Sequence, residues 1–332
     1  MFKRLFLILA ALLVGLACTA RPASAGAQAE FKFALPTGQG HIYTLGSEFF
    51  KQRVEELTQE RIIVHLYPGG QLSGDQRVLT ENIQMGAVDM TTTSSGALSG
   101  FNKNFLLCSL PYLFSNADYC MSVMNGPVGK MLTDPLERFN LKTVGWWPAG
   151  LQCITNSRRP IHSVEDMRGL KIRTMENPLL IALYTSWNAL PTPMALGEVL
   201  TALQQGTIDG QENTETNTYA NKFHEVQKYL AMTNHYFTPS PFFVSKSKFD
   251  AMPADLQELF LKAAVDANEF ALAEYHRQSA SAVDNMRKEG LEVTYPDLEG
   301  FRKTAFAIYP QFVKELDPEV AALIPEIRAG HP

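Results

Sequence analysis

The chain has 332 residues, of which 45% are hydrophobic and 19% are charged, and its formal net charge at pH 7 is -5. A chain of this length can bury a sizeable core that is divided between two domains. Its net negative charge disfavours the basic surface that binds nucleic acid or another polyanion.

The first 25 residues have the pattern of a secretory signal peptide. Lys3 and Arg4 precede an unbroken apolar run from Leu5 to Leu16, and the small residues Ala23-Ser24-Ala25 follow. We predict cleavage after Ala25 and a mature protein in the periplasm. Loss of the leader's three basic residues changes the formal charge from -5 to -8.

Two alternatives to a cleaved leader are weaker. A membrane anchor is disfavoured because the apolar run is too short to cross a hydrocarbon core of about 30 Å. Lipidation of Cys18 is disfavoured because Gly15 replaces the large aliphatic residue expected three positions earlier. After Gly26 no apolar stretch is long enough to span a membrane. The sequence therefore predicts a soluble mature protein.

The mature chain begins with alternating strands and helices, an order typical of a parallel sheet. Ser73 and Gln76 have the spacing of a capping box, and Gly86 ends the helix that follows. The predicted elements are a strand over 31–35, a helix over 43–57, a strand over 62–67, a helix that ends at Gln84 and a strand over 87–92.

This order of elements returns about 120 residues later, with a strand over 170–174 and helices over 178–187 and 198–205. In both copies a helix ends in glycine, and a small residue, a β-branched residue and an aspartate follow. The aspartate is Asp89 in the first copy and Asp209 in the second. Two lobes with a common βαβαβ plan would produce such a repeat. Coincidence in a common helix–glycine–strand transition is the alternative.

A helical pattern also extends over 254–288, between Pro253 and Gly290. It is either one long helix or two abutting helices. At about 1.5 Å per residue a single helix would reach roughly 50 Å, the length of a two-lobed molecule.

The chain lacks the usual signals for a cofactor or a metal. Gly38-Gln39-Gly40 follows a strand, but Tyr43 stands where the third glycine of a dinucleotide fingerprint would lie. The seven histidines include no pair at helical ligand spacing, and no cysteine lies beside one in a metal pattern. We therefore predict no cofactor and no metal. Cys108 and Cys120 could form a disulfide in an oxidising compartment or be buried free thiols.

An enzyme would have to use Cys153 with His162 or His235, or the carboxylates Asp209 and Glu212. Neither signal is specific, because a thiol in a strand-like run is usually packed and inert and because an aspartate after a strand is usually a turn residue. We predict no catalytic activity.

Arg173 is the strongest candidate for a ligand contact. It lies at the carboxyl end of the predicted strand over 170–174, and ligands of open α/β sheets bind beyond the carboxyl ends of strands. The planar guanidinium matches a carboxylate. From the residues alone, a surface arginine paired with Glu165 or Asp166 is the alternative.

Short motifs along the chain carry a family resemblance. On them the chain resembles the periplasmic solute-binding subunits of tripartite ATP-independent periplasmic (TRAP) transporters, the DctP-type family, which binds C4-dicarboxylates, sialic acid and other organic acids. The motifs are Tyr67-Pro68-Gly69-Gly70-Gln71-Leu72, Leu110-Pro111-Tyr112-Leu113-Phe114, Asn156-Ser157-Arg158-Arg159-Pro160-Ile161, Asp166-Met167-Arg168-Gly169-Leu170-Lys171-Ile172-Arg173, Pro191-Thr192-Pro193-Met194, Glu198-Val199-Leu200, Ala202-Leu203-Gln204-Gln205-Gly206, Asp209-Gly210-Gln211-Glu212-Asn213 and Glu225-Val226-Gln227-Lys228-Tyr229.

The resemblance implies a two-lobed periplasmic binding protein-like α/β fold. Each lobe would be a mixed, mostly parallel sheet flanked by helices, and the long helix would span both lobes. Lobe I would comprise 26–150 and 239–278, and lobe II would comprise 151–238 and 279–332.

The resemblance also implies ligand contacts. The family's arginine that grips the ligand carboxylate corresponds to Arg173, and its asparagine contact corresponds to Asn213. The family usually has a further arginine where this chain has Gln152. Gln152 forms hydrogen bonds but has no charge, so we expect a monocarboxylate, an amino acid or a 2-oxo acid rather than a dianion.

Four further residues complete the candidate site. Trp147 and Phe237, with Trp146 and Tyr236 as neighbours, could stack on an aromatic ligand or simply pack at the hinge. Glu176 could receive an ammonium group or be a solvated charge at a helix start. His41, which follows Gly40, is the last candidate contact.

As the resemblance implies, the protein would capture a small carboxylate by closing its cleft and deliver it to the small and large membrane subunits of a TRAP transporter. We expect a monomer. An extracytoplasmic receptor that feeds a sensor kinase is the alternative, because such a receptor could bind a carboxylate through the same arginine.

Overall fold

The structure is a computed structural model that describes residues 26–330 of the chain. The predicted signal peptide, with Cys18, lies outside these residues. Within the described range, no helix combines the length and the apolar character that a membrane span requires.

Ten strands of the described chain pair into a mixed sheet. They are β1 (Ala29–Ala34), β2 (Ile62–Tyr67), β3 (Met90–Thr92), β4 (Leu141–Asn156), β5 (Lys171–Thr174), β6 (Leu190–Pro193), β7 (Gly210–Thr214), β8 (Tyr229–Ala231), β9 (Phe237–Ser245) and β10 (Glu292–Thr294).

Helices cover the sheet and join its strands. The α-helices are α1 (Ile42–Thr58), α2 (Gln76–Gln84), α3 (Leu106–Ser109), α4 (Ala117–Met124), α5 (Pro127–Thr133), α6 (Pro178–Ser186), α7 (Leu196–Gln204), α8 (Glu215–Ala220), α9 (Lys246–Asp250), α10 (Ala254–Lys288), α11 (Glu299–Val313), α12 (Pro318–Ala322) and α13 (Ile324–Ala329).

Strand β4 belongs to both halves of the sheet. Its residues 141–151 pair with β9, whereas its residues 152–156 pair with β7. Lobe I is the part of the sheet with the order β2-β1-β3-β9, together with the first part of β4. Lobe II contains the second part of β4, the strands β7-β5-β6 and the pair β8-β10. Strands β1, β2 and β3 are parallel, as are β5, β6 and β7, while β4 and β9 run antiparallel to their neighbours. The predicted two-lobed α/β fold is confirmed, and the exact lobe boundaries stay a prediction.

The sequence repeat is a structural repeat. In lobe I, Asp89 donates its backbone N–H to the carbonyl oxygen of Lys32 at 3.0 Å, and its Oδ2 accepts the N–H of Lys32 at 2.7 Å. In lobe II, Asp209 makes the same pair of hydrogen bonds with Lys171, at 2.8 and 2.9 Å. Each aspartate therefore ties the residue just before one strand to the backbone of the neighbouring strand.

The start of α2 differs from the prediction. Its N-cap is Asp75, whose Oδ1 accepts the backbone N–H groups of Arg77 and Val78. The proposed Ser73–Gln76 capping box is wrong, because Gln76 is already the first helical residue. The side-chain oxygen of Gln76 instead accepts the backbone N–H of Ser94 at 2.6 Å.

The long helix is a single element. Helix α10 has 35 residues, which at about 1.5 Å each correspond to roughly 50 Å. It packs on α1 and β4 in lobe I and on α8 and β10 in lobe II. The rings of Phe49 and Phe270 stack with centroids 4.5 Å apart in the first region, and Ser279 donates to Glu215 at 2.6 Å in the second. The helix thus braces both lobes.

The cysteines of the described chain are buried free thiols at positions 108, 120 and 153. Cys108 and Cys120 therefore follow the free-thiol alternative rather than the disulfide. Burial raises the pKa of the Cys108 thiol to about 12, which disfavours a reactive thiolate.

Candidate ligand-binding site

A small cavity lies between the lobes, at the carboxyl end of β5. Its volume is about 20 Å³, which is roughly the room that one water molecule needs. An outer chamber of about 90 Å³ shares part of its wall. The inner cavity is lined by Thr37, His41, Tyr43, Gln76 and Ser94 from lobe I, by Ala149 and Gln152 of β4, and by Arg173, Met175, Leu196, Glu212, Asn213 and Asn217 from lobe II.

The lobes meet around this cavity. Gly197 of lobe II donates its backbone N–H to the carbonyl oxygen of Gly74 in lobe I at 3.3 Å. Deeper in the molecule, Nδ2 of Asn177 donates to the carbonyl oxygen of Gly96 at 3.0 Å and to Oγ of Ser109 at 3.1 Å. The cleft is therefore closed in this structure.

Arg173 is held with its guanidinium at the cavity. It is only 3% exposed, and its Nε and Nη2 both donate to the carbonyl oxygen of Met194, at 3.0 and 2.8 Å. Burial lowers the pKa of Arg173, and the nearby Glu212 carboxylate opposes that shift. The guanidinium stays charged, because arginine does not lose its proton in proteins. Its remaining N–H donors are available to a ligand carboxylate.

The surface alternative for Arg173 does not hold. The Oδ2 atom of Asp166 accepts the backbone N–H groups of His162 and Ser163 within its own turn. Within residues 26–330, Arg173 forms no salt bridge with Glu165 or with Asp166, and burial separates it from the surface.

A buried polar network lies beside Arg173. Glu212 accepts the N–H of Met175 at 3.3 Å and the hydroxyl of Tyr236 at 2.9 Å. Its Oε2 lies 3.6 Å from Nε2 of His235, which lies 3.1 Å from the hydroxyl of Tyr184. Burial lowers the pKa of His235 and raises the pKa of Tyr236 well above its usual value, so both are neutral. The buried charges of the network are therefore those of Glu212 and Arg173.

Among the described residues, the pairings considered for catalysis, Cys153 with a histidine and Asp209 with Glu212, make no side-chain contact with each other. Asp209 pairs with Arg158 and with the backbone of Lys171, whereas Glu212 binds other partners. The thiol of Cys153 makes its nearest polar contact with Oδ1 of Asn234, at 3.3 Å. Among the described residues, no three His, Cys, Asp or Glu side chains come together as metal ligands.

Gln152 and Asn213 line the cavity beside Arg173. Nε2 of Gln152 donates to Oγ1 of Thr238 at 2.8 Å. Oδ1 of Asn213 accepts the backbone N–H of Thr214 at 3.1 Å and an N–H of Asn217. Each amide group therefore keeps one of its polar ends for a ligand.

His41 reaches the same cavity from lobe I. Its Nδ1 accepts the backbone N–H of Tyr43 at 3.0 Å and so caps α1. Burial lowers the pKa of His41 to about 3, although a side-chain hydrogen bond with Asn217 opposes the shift. The imidazole is neutral at physiological pH, and with Nδ1 accepting it presents Nε2–H as a donor.

The other three candidates do not line the inner cavity. Trp147 lies in the core of lobe I, where Nε1 donates to Asn268 at 2.8 Å. Phe237 is fully buried against Tyr275, with ring centroids 6.0 Å apart. Glu176 lines the outer chamber and is exposed. The two aromatic side chains thus pack within the fold, which is the hinge-packing alternative.

Sequence reasoning missed several lining residues. Tyr43 hydrogen-bonds to Ser240 and lies 3.4 Å from Oγ of Ser94, so lobe I contributes more hydroxyls than His41 alone suggested. Asn217 follows Asn213 by four residues, and this spacing was the only local signal for it. Gln76 and Ser94 carried no such signal, because only tertiary contacts bring them to Arg173.

A family profile matches residues 33–316, and its description is bacterial extracellular solute-binding protein, family 7. The chain belongs to this family. A relative of this solute-binding family is the 2,3-diketo-L-gulonate-binding periplasmic protein of Escherichia coli (strain K12), 30% identical over 79% of this chain and 80% of that protein.

Solved TRAP solute-binding proteins share the fold. One from Polaromonas sp. JS666, bound to D-erythronate, is 33% identical with a TM-score of 0.85 and covers 89% of this chain and 98% of that chain. One from Sulfurospirillum deleyianum, bound to succinate, is 27% identical with a TM-score of 0.85 and covers 91% of this chain and 99% of that chain. The protein is thus a TRAP solute-binding protein for small organic acids. Its relatives are solute-binding proteins rather than enzymes, and the ligands of its solved neighbours do not single out one charge state.

Proposed function

We propose that this solute-binding protein captures a small polyhydroxylated monocarboxylate, such as a four-carbon sugar acid, in the periplasm and delivers it to TRAP membrane subunits. One observation carries the proposal: among the described residues that line the inner cavity, Arg173 is the only lysine or arginine. Most of the other lining side chains are neutral hydrogen-bonding groups.

The charge of the cavity favours one carboxylate. Arg173 supplies one positive charge, and Glu212 on the same wall supplies a negative one. A second ligand carboxylate would meet Gln152 where relatives usually have an arginine, and it would approach Glu212 without a cation to offset the repulsion. Because unpaired charges are costly to bury, a dianion is the poorer ligand.

The neutral groups favour hydroxyls on the ligand. Amide, hydroxyl and imidazole side chains can donate to or accept from a sugar hydroxyl. They face the cavity from both lobes, so a ligand with several hydroxyls would bind lobe I and lobe II at once. The lining contains one aromatic side chain besides His41, that of Tyr43, which supports a sugar acid over an aromatic acid.

Ligand capture requires the cleft to open. The inner cavity of about 20 Å³ and the outer chamber of about 90 Å³ would have to widen to hold a four-carbon acid, so entry and release would follow separation of the Gly74–Gly197 contact. Closure over a bound acid would then bury its carboxylate beside Arg173, and we expect a monomer to be sufficient for this cycle.

A calorimetric comparison of matched ligands tests the proposal. The ligands are D-erythronate, its uncharged lactone and succinate. We expect the anion to bind about tenfold or more tightly than either of the others, because only it offers one carboxylate with hydroxyls. Preferential binding of succinate would refute the monocarboxylate assignment, and equal binding of the lactone would refute the clamp.

A further inference from the structure

We propose that a second cavity binds a small carboxylate with an aromatic or branched apolar body. This cavity has a volume of about 570 Å³ and shares no lining residue with the inner cavity or its outer chamber. Volumes of about 300–1,000 Å³ are typical of small-molecule sites. The inference is independent of the ligand proposed for the cleft.

The second cavity adjoins the crossing between the lobes. Leu151, which lines it, is the last residue of β4 that pairs with β9. Asn234 lines it from the segment between β8 and β9 and has a left-handed backbone, with φ of 44°. Helix α11 supplies another part of the wall through Arg302 and Phe306.

The charge of this cavity selects an anion. Arg302 and Arg328 both line it, and none of the described residues in its lining is an aspartate or a glutamate. Within residues 26–330, neither guanidinium forms a salt bridge. Both arginine side chains are exposed, so a ligand could reach them from solvent. A carboxylate is the group that would complement them.

The two arginines are held in place by aromatic rings. The guanidinium of Arg302 lies 5.2 Å from the ring centroid of Tyr112, and that of Arg328 lies 4.1 Å from that of Phe306. The two rings are themselves 6.2 Å apart at 71°. Such cation–π contacts restrain the guanidinium groups, and their N–H groups can still donate hydrogen bonds.

The rest of the wall favours an apolar body. Phe114, Leu151, Leu298 and Phe306 contribute apolar surface. Tyr112 has φ of 57°, a left-handed conformation that is strained for a bulky residue, and its hydroxyl has no hydrogen-bond partner in the described chain. Strained residues cluster at ligand clamps and switch regions, so this geometry supports the same assignment.

Binding of phenylacetate, measured by calorimetry, tests the second cavity. We expect Arg302→Gln and Arg328→Gln each to weaken binding about tenfold or more, because each removes one of the two cations. Lys303→Gln is the matched control, since Lys303 is an exposed neighbour on α11 that does not line the cavity. The control should bind within about twofold of the unmodified protein. The uncharged amide, phenylacetamide, should bind about tenfold more weakly than phenylacetate.

Two further measurements separate this cavity from the cleft. Binding of phenylacetate should persist in Arg173→Ala and in the presence of saturating D-erythronate. The inference is overturned if phenylacetate does not bind at millimolar concentration, if the two arginine variants bind it as the control does, or if Arg173→Ala or D-erythronate abolishes binding.

Discussion

The backbone N–H of Gly197 donates to the carbonyl oxygen of Gly74 at 3.3 Å, and this contact joins lobe II to lobe I beside the outer chamber. A Cβ atom added to either glycine would lie 3.2 Å from the Cα of the other. The closed cleft therefore depends on two residues without side chains. A substitution that adds a side chain at either glycine can therefore test whether this contact is needed for closure.

Gly197→Ala should weaken ligand binding without lowering the melting temperature of the ligand-free protein. The added methyl group crowds the closed form, and overpacking of this kind costs about 1 kcal/mol or more. In an open form the same change favours α7, since alanine is a better helix former than glycine. We expect about fivefold weaker binding of D-erythronate by calorimetry and a larger radius of gyration of the liganded protein by solution scattering.

Gly38→Ala is the control for that experiment, because a Cβ atom at Gly38 would meet nothing within 4 Å. Equal affinities of the two variants would show that the glycine contact does not limit closure.

Arg173→Ala should weaken carboxylate binding by about 2–5 kcal/mol, because truncation leaves the ligand carboxylate without its cation in a buried site. Arg173→Lys should recover only part of the loss. Lysine keeps the charge but lacks the planar fork that binds the carbonyl oxygen of Met194 through Nε and Nη2. Calorimetry with D-erythronate measures both. Near-unchanged affinity of the alanine variant would rule out the clamp.

Gln152→Arg should raise the affinity for succinate relative to D-erythronate. The change places a second cation in the lining that also contains Glu212, at the position where the family resemblance leads us to expect an arginine. Gln152→Met is the matched control, since it has a similar length without a charge. We expect the ratio of the two dissociation constants to shift about tenfold in Gln152→Arg alone. A similar shift in the methionine variant would assign the effect to packing instead of charge.

Asp209→Ala and Asp89→Ala should each lower the free energy of unfolding by about 1–3 kcal/mol. Each variant leaves a backbone N–H, that of Lys171 or that of Lys32, without its acceptor. The matching asparagine variants keep an acceptor oxygen and should lose less. Urea unfolding measures these differences. A much smaller effect at one position than at the other would contradict the structural equivalence of the two lobes.

The ligand-free protein should lose stability as the pH falls from about 6.5 towards 3, partly through His41. Burial lowers the pKa of His41 to about 3, so over this range the unfolded chain binds a proton that the folded protein does not. The free energy of unfolding then falls by up to about 1.4 kcal/mol per pH unit for this group.

His41→Asn is the matched variant, because asparagine can still cap α1 but does not titrate in this range. Its stability should depend less steeply on pH than that of the unmodified protein when urea unfolding is measured between pH 4 and 7. Identical slopes for the two proteins would contradict the role of His41.

Elements with a local physical cause were predictable from the sequence. Apolar periodicity and Pro253 predicted the extent of α10, and glycine at positions 86 and 206 marked the ends of α2 and α7 because a left-handed backbone suits glycine. The repeat of Asp89 and Asp209 also predicted the two-lobed plan correctly. Even locally the sequence misled once, since Ser73 and Asp75 both precede α2 and only the chain path shows which one caps it.

The ligand site also contains residues that the sequence predicted and residues that only the tertiary structure revealed. Arg173, Asn213 and Gln152 were placed by strand ends and by family motifs, and the structure brings them to one cavity. Contacts between segments that are distant in the chain decide the rest. They turn Trp147 and Phe237 into the core, and they place Gln76 and Ser94 at the cavity. The sequence by itself determined the class of protein and predicted Arg173 as the cation of the proposed site. Only the tertiary structure decided which neutral groups surround that cation, because packing of lobe I against lobe II, rather than local propensity, positions them.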